Sequence, residues 1–189
     1  LRGLRRPAGR ELVAICPVSL QRAEAKRAST QVSMFWTPLG TPAAPVGRRM
    51  RELIANTRAA KERIRTLPKD VAYAYAVLTF AAGETLALVP RGPVDFFLPS
   101  NVLISNVRGP SDPLYLNGAR LEALCPVSTL ISGMGLNITL MSYAGEVVIG
   151  FTANASALPE AGRRAPATRE AFAARGRQGR GAGGRIRRI

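Results

Sequence analysis

The sequence predicts a mixed α/β or α+β fold of about six strands, with two helices between the second and third. Three observations predict it. Short apolar runs end at prolines, a helical repeat occupies residues 46–67, and alternating residues flank Ala144-Gly145 as in a hairpin. In chain order, Leu12-Val13-Ala14-Ile15-Cys16 is short and apolar and stops at Pro17, which suits a buried strand. Residues 29–39 read as a second strand with Val32, Met34 and Trp36 on one face, ended by Pro38. A proline-rich turn over 42–45 follows. Met50, Leu53, Ile54, Thr57, Lys61 and Ile64 then recur at helical spacing with basic groups on the other faces, and Pro68 closes that helix. Residues 70–82 predict a second helix, apolar nearly all round and therefore buried, ending at Gly83.

Residues 84–100 are less regular. Asn101 to Ser105 predict another short buried strand, running into a loop from Asn106 to Pro113, and residues 120–125 look strand-like. Leu136, Ile138 and Leu140 alternate with Asn137, Thr139 and Met141, and Val147, Ile149 and Phe151 form the returning strand, so both apolar sets are expected in the core. Cys-Pro-Val-Ser occurs at 16–19 and again at 125–128, but the flanks do not extend the match into a repeat.

Composition excludes more than it specifies. The chain of 189 residues is 47% hydrophobic and 21% charged, a globular balance. It contains no histidine, which removes Ser-His-Asp and Cys-His chemistry, histidine general bases and His-ligated zinc. Two cysteines, Cys16 and Cys125, each in an apolar stretch, are expected to be buried and reduced. No apolar segment follows the basic start Leu1-Arg2-Gly3-Leu4-Arg5-Arg6-Pro7, so no signal peptide is expected there. The longest apolar run, residues 71–82, is well short of the roughly 20 that span a bilayer. A cytoplasmic protein, or one peripheral at a membrane or lipid body, is the expectation.

No phosphate loop is present, and Gly109-Pro110 and Gly133-x-Gly135 read as turn glycines. Ser105, Ser128 and Ser132 have no base to activate them. The residues assemble no catalytic constellation and imply no bound cofactor.

The order of motifs from 101 to 159 carries a resemblance. Asn-Val-Leu-Ile-Ser-Asn-Val-Arg-Gly-Pro, then Pro-Leu-Tyr-Leu-Asn-Gly-Ala-Arg-Leu, Cys-Pro-Val-Ser and Gly-Leu-Asn-Ile-Thr-Leu resemble the C-terminal domain of the bacterial wax ester synthase/acyl-CoA:diacylglycerol acyltransferase (WS/DGAT) family. The family's loop is Ser-Asn-Val-Pro-Gly-Pro; Ser105, Asn106, Val107, Gly109 and Pro110 match it, and Arg108 replaces the first proline. Ile15 to Leu20, Gln31-Val32-Ser33 and Thr57 to Glu62 extend the resemblance, giving a domain over residues 1–160.

The resemblance implies the C-terminal half of a fold like that of CoA-dependent acyltransferases and condensation domains, with a tunnel between two similar halves. It implies acyl-CoA as co-substrate and diacylglycerol or a fatty alcohol as acceptor. The family's His-His-x-x-x-Asp-Gly motif lies in the half not found here, so this chain is expected to be inactive alone and to contribute tunnel wall and loops. Ser105, Asn106, Gly109, Pro110 and Asn137 are the candidate substrate-binding residues. With its partner half absent, an uncovered apolar face and self-association are expected.

Residues 161–189 depart from the family pattern. They hold nine arginines and one acid, Glu170, a net +8 of the chain's +15. This Arg/Gly-rich tail is expected to be disordered, as either a frameshifted end or a surface for RNA or acidic lipid. With one Phe and no Tyr or Trp for base stacking, no specific nucleic-acid partner is expected.

Overall fold

The computed structural model describes residues 12–20, 32–40, 43–87, 100, 102–131, 134–156, 158–159, 162 and 164–178. Strands β1 (Val13–Ser19) and β2 (Val32–Pro38) are followed by helices α1 (Val46–Thr66) and α2 (Lys69–Ala87). Then come β3 (Val102–Arg108), the short β4 (Tyr115–Leu116) and β5 (Ala119–Arg120), β6 (Leu136–Tyr143), β7 (Glu146–Ala153) and helix α3 (Arg164–Gln178). The strands form a mixed sheet in the order β2-β1-β3-β6-β7, and β4-β5 is a separate ribbon. The mixed α/β expectation holds.

The chain divides into two compact units, and β3 runs from one into the other. The first unit holds β1, β2, α1, α2 and the start of β3. β1 pairs antiparallel with β2 and parallel with β3. Pro17 lies inside β1 instead of ending it. The bond from Leu39 N to Leu12 O marks residues 12, 14, 16 and 18 as those bonded to β2, so the nitrogen of Pro17 faces away from β2. Among the described residues, β1 pairs with β3 at Ala14 and Ile15, and a missing N–H at Pro17, beyond them, costs no ladder bond.

Apolar residues cover both faces of this part of the sheet. Ile15, Leu103 and Met134 cluster with Met34, Trp36 and Ile131. Phe35, Ile64 and Ala72 cluster with Cys16, Val18, Leu20 and Ala60, which seats the helices. The Ser33 hydroxyl donates to the Ala72 carbonyl at 2.9 Å, tying β2 to α2.

The second helix differs from expectation twice. It continues through Gly83 to Ala87; a helical glycine costs only about 1 kcal/mol, and Ala81, Ala82 and Glu84 around it favour helix. It is also largely uncovered. Ala72 and Ala76 meet the sheet side, whereas Val71, Tyr73, Tyr75, Val77 and Leu78 are exposed, Leu78 by 70%. Cys125 is likewise exposed, not buried, and Cys16 is half-buried.

The second unit holds the rest of β3, the β4-β5 ribbon, the β6-β7 hairpin and α3. β6 and β7 pair from Leu136↔Ala153 to Tyr143↔Glu146 across the Ala144-Gly145 turn, as expected. The buried face of β6 is the polar one: Asn137, Thr139 and Tyr143 are buried, while Leu136, Ile138 and Leu140 are half-buried. Strand character ends at Arg120, and residues 121–131 have no regular structure; they bond to that polar face through side chains of β6. The tail is helical over Arg164–Gln178, where disorder was expected; Ala and Arg, both strong helix formers, outnumber Gly there. Asn101, Ser132, Gly133, most of the irregular stretch before residue 100 and the end of the tail lie outside the described residues.

Candidate functional site

β3 emerges from the core along its length. Val102 and Leu103 are buried, Ile104 and Ser105 half-buried, and Asn106, Val107 and Arg108 exposed. Ser105 and Asn106 therefore belong to the strand, and the loop starts at Gly109, three residues later than expected. The strand extends because Ser105 to Arg108 include the β-branched Val107 and no breaker before Gly109-Pro110. Arg108, in place of the family's proline, ends the strand with an exposed side chain.

The loop is fastened to the end of β6. The Gly109 N–H donates to the Ser142 carbonyl at 3.0 Å and lies 3.3 Å from the Ser142 hydroxyl. The Ala144 N–H donates to the Pro110 carbonyl at 3.0 Å. A Cβ at position 109 would fall on the Ser142 carbonyl oxygen, so the approach of the two backbones requires glycine. Tyr143, between those two contacts, is 3% exposed. Its hydroxyl accepts from Leu114 N at 2.8 Å and donates to the Leu121 carbonyl at 2.9 Å.

Asn137 lies elsewhere. It precedes Ser142 by five positions on β6, about 16 Å along an extended strand. Its amide donates to the Thr129 carbonyl at 2.8 Å and accepts from the Thr139 hydroxyl at 3.0 Å, and Thr139 is 2.7 Å from the Ser128 hydroxyl. Gly109 and Pro110 are thus brought together with Ser142, Tyr143 and Ala144, and Asn137 with Ser128, Thr129 and Thr139. Sequence reasoning missed Tyr143 and Thr139. The signal was available: Asn137, Thr139 and Tyr143 share one face of a strand in which Leu136, Ile138 and Leu140 take the other.

Beside the ribbon is a shallow pocket of about 190 Å3 lined by Arg120, Glu122, Tyr143, Ala144 and Glu146. It is charged and smaller than the about 300 Å3 at which ligand clefts begin. In the other unit, Trp36 Nε1, Thr37 Oγ1 and Ser100 Oγ are buried without a partner. Burial pushes the Cys16 thiol up to about 11, with Lys61 acting against it. Burial also raises Tyr75, whose ring meets Trp36 edge-on at 5.8 Å. Among the described residues, no group of three or more acidic or cysteine side chains gathers to hold a metal.

These features can be set beside known proteins. The family model of the WS/DGAT C-terminal domain matches residues 28–174, reaching fourteen residues beyond the expected domain end at 160. A putative diacylglycerol O-acyltransferase of Mycobacterium tuberculosis is 35% identical over 169 residues, covering 86% of this chain and 33% of that protein. The O-acyltransferase WSD of Acinetobacter baylyi is 30% identical over 148 residues, covering 78% of this chain and 32% of its own length. In three dimensions, the wax ester synthase/diacylglycerol acyltransferase of Marinobacter aquaeolei VT8 superposes with a TM-score of 0.62 at 33% identity, over 79% of this chain and 33% of that one. The chain spans about a third of the length of the relatives it matches. Motif order, sheet topology and these matches agree that the chain belongs to the WS/DGAT family, as its C-terminal domain.

Proposed function

We propose that this chain forms the C-terminal portion of an enzyme that moves an acyl group from acyl-CoA to diacylglycerol or a fatty alcohol. In this reading it supplies tunnel wall and a rigid loop, and the preceding portion supplies the base. The observation that carries the reading is the end of β3. Ser105 and Asn106 lead out of the core into a Gly109-Pro110 loop that is fastened at two backbone points, the rigidity needed to place polar groups at a reacting centre. A base near working pH is required to activate an alcohol, and a chain without histidine has none of the usual kind.

The test is acyl transfer from radiolabelled oleoyl-CoA to diacylglycerol and to hexadecanol. The chain alone is expected to give none above blank. Joined behind the first two thirds of the Mycobacterium tuberculosis relative, in place of the segment it matches, it is expected to restore transfer. Robust transfer by the isolated chain, or a folded fusion with none, overturns the reading.

A second reading, peripheral attachment to a lipid surface, rests on the helices. α1 carries seven basic and two acidic residues, and α2 exposes Val71, Tyr75 and Leu78. No described helix is long and apolar enough to cross a membrane. Flotation with phosphatidylglycerol vesicles, with and without residues 161–189, separates attachment by the helices from attachment by the arginine tail. Lack of flotation at low salt excludes both.

A further inference from the structure

The β4-β5 ribbon has an irregularity that assigns it a task. Tyr115 pairs with Arg120 and Leu116 with Ala119 around Asn117-Gly118, both at positive φ (48° and 81°), the two-residue turn whose twist suits a hairpin. In that register the next pair is Leu114 with Leu121. A bonded antiparallel pair exchanges two N–H···O bonds. One is present, from Leu121 N to the Leu114 carbonyl at 2.9 Å. In place of the other stands the Tyr143 hydroxyl, which takes the Leu114 N–H and gives its own proton to the Leu121 carbonyl. A buried side chain of β6 is thus built into the base of the ribbon and pins it to the sheet.

What the pin holds out is apolar. Leu114, Tyr115 and Leu116 are consecutive and exposed, the last two by 64% and 78%. A lone two-stranded ribbon is marginal in water, but a pinned one is already ordered and binds without that entropic cost. Arg120, Glu122 and Glu146, which line the pocket beside it, are of mixed sign, unlike the basic surround that an anionic membrane or nucleic acid selects. The neighbouring pocket is charged and unsuited to Tyr115 or Leu116 of a second copy. The family match includes the ribbon, and about two thirds of each relative's length lies outside the matched segment.

We propose that residues 114–121 form a docking arm, pinned by Tyr143, whose Tyr115 and Leu116, just before the Asn117-Gly118 turn, seat against an apolar groove of the portion preceding this domain in its relatives. The proposal rests on the acyltransferase reading. Its test uses the same fusion with a different readout. Chymotrypsin cleaves after Tyr115 and Leu116, so cleavage there is timed in the isolated chain and in the fusion under native conditions. Cleavage in the fusion is expected to be slower by about tenfold or more. The paired substitution Tyr115→Ser with Leu116→Ser is expected to leave the melting temperature of the isolated chain within about 1 °C and to lower that of the fusion by several degrees.

Equal cleavage rates overturn the arm. So does protection in the isolated chain that rises with its own concentration, which would assign Tyr115 and Leu116 to a second copy. Acyl transfer separates the two proposals: an active fusion with Tyr115 and Leu116 unprotected sinks the arm alone, and a protected but inactive one sinks the acyltransferase reading alone. A benzoylphenylalanine at position 115, in the chain mixed with the separately produced preceding portion, needs no fusion. Crosslinks into that portion support the arm, and crosslinks only between copies of this chain overturn it.

Discussion

Replacing Asn137 by alanine separates a scaffold role from a substrate role. The side chain is 3% exposed, and both ends of its amide are engaged, at Thr129 and Thr139. Each net hydrogen bond is worth about 1 kcal/mol, and a buried acceptor left without a donor costs about 1–3 kcal/mol more. Thr139 retains Ser128 after the substitution, so the loss concentrates at the Thr129 carbonyl, and Thr129 is an exposed residue to which water has access. The expected cost is therefore about 2 kcal/mol. At roughly 2–4 °C per kcal/mol for a chain of this size, the melting temperature should fall by about 4–8 °C. Asn137→Asp should cost more, because it removes the donor and sets a carboxylate against a carbonyl. Circular dichroism melts and urea midpoints read the effect, and transfer per folded molecule in the fusion should stay within about twofold. A melting temperature within about 1 °C of the parent, with transfer lost, would refute this and return Asn137 to the substrate.

Gly109→Ala should destabilise by about 2 kcal/mol or more, because the Ser142 backbone must move, and should hasten proteolysis within residues 109–114. At pH 8 iodoacetamide should label exposed Cys125 well before Cys16, whose thiol is pushed up to about 11; comparable rates would show that β1 opens readily. The same shift has a sign for stability. Cys16 lies above its ordinary value of 9.0 when folded, so its contribution is full below pH 9 and is lost as pH rises from 9 to about 11, and Cys16→Ala should flatten that loss. The isolated chain is expected to self-associate and to bind apolar dye, and Leu78→Glu to reduce both without lowering the melting temperature; a monomeric parent, or unchanged association in the variant, would show that α2 is not a sticky face.

The sheet and helices were legible because their signals are local. Alternation at Val32, Met34 and Trp36, the helical spacing from Met50 to Ile64, and Ala144-Gly145 each report a period or a turn within a few residues. Element ends were less legible. Pro17 fails to stop β1 because of what lies beside it in the sheet, and a single sequence does not display its neighbours. The loop was recognised through its glycine, but the reason for that glycine is the carbonyl of Ser142, 33 positions away. Asn137 is a candidate through the family resemblance, where it stands in Gly-Leu-Asn-Ile-Thr-Leu. Residues 121–131 satisfy it, and nothing in their composition announces that they pass over β6.

The two apolar surplus regions, one in each unit, have a common logic. α2 meets the sheet side through Ala72 and Ala76, small residues that bring the helix close and leave its large side chains outside. The ribbon likewise touches its own unit through backbone groups and the Tyr143 hydroxyl, leaving Tyr115 and Leu116 outside. In both places the domain uses small or polar contacts for its own cohesion and keeps its bulky apolar groups unspent. Burying Leu78 and Leu116 would contribute about 1.5–3 kcal/mol apiece. Under the docking proposed above, the burial of Leu116 would be supplied by the part of the relatives that the matched third does not include.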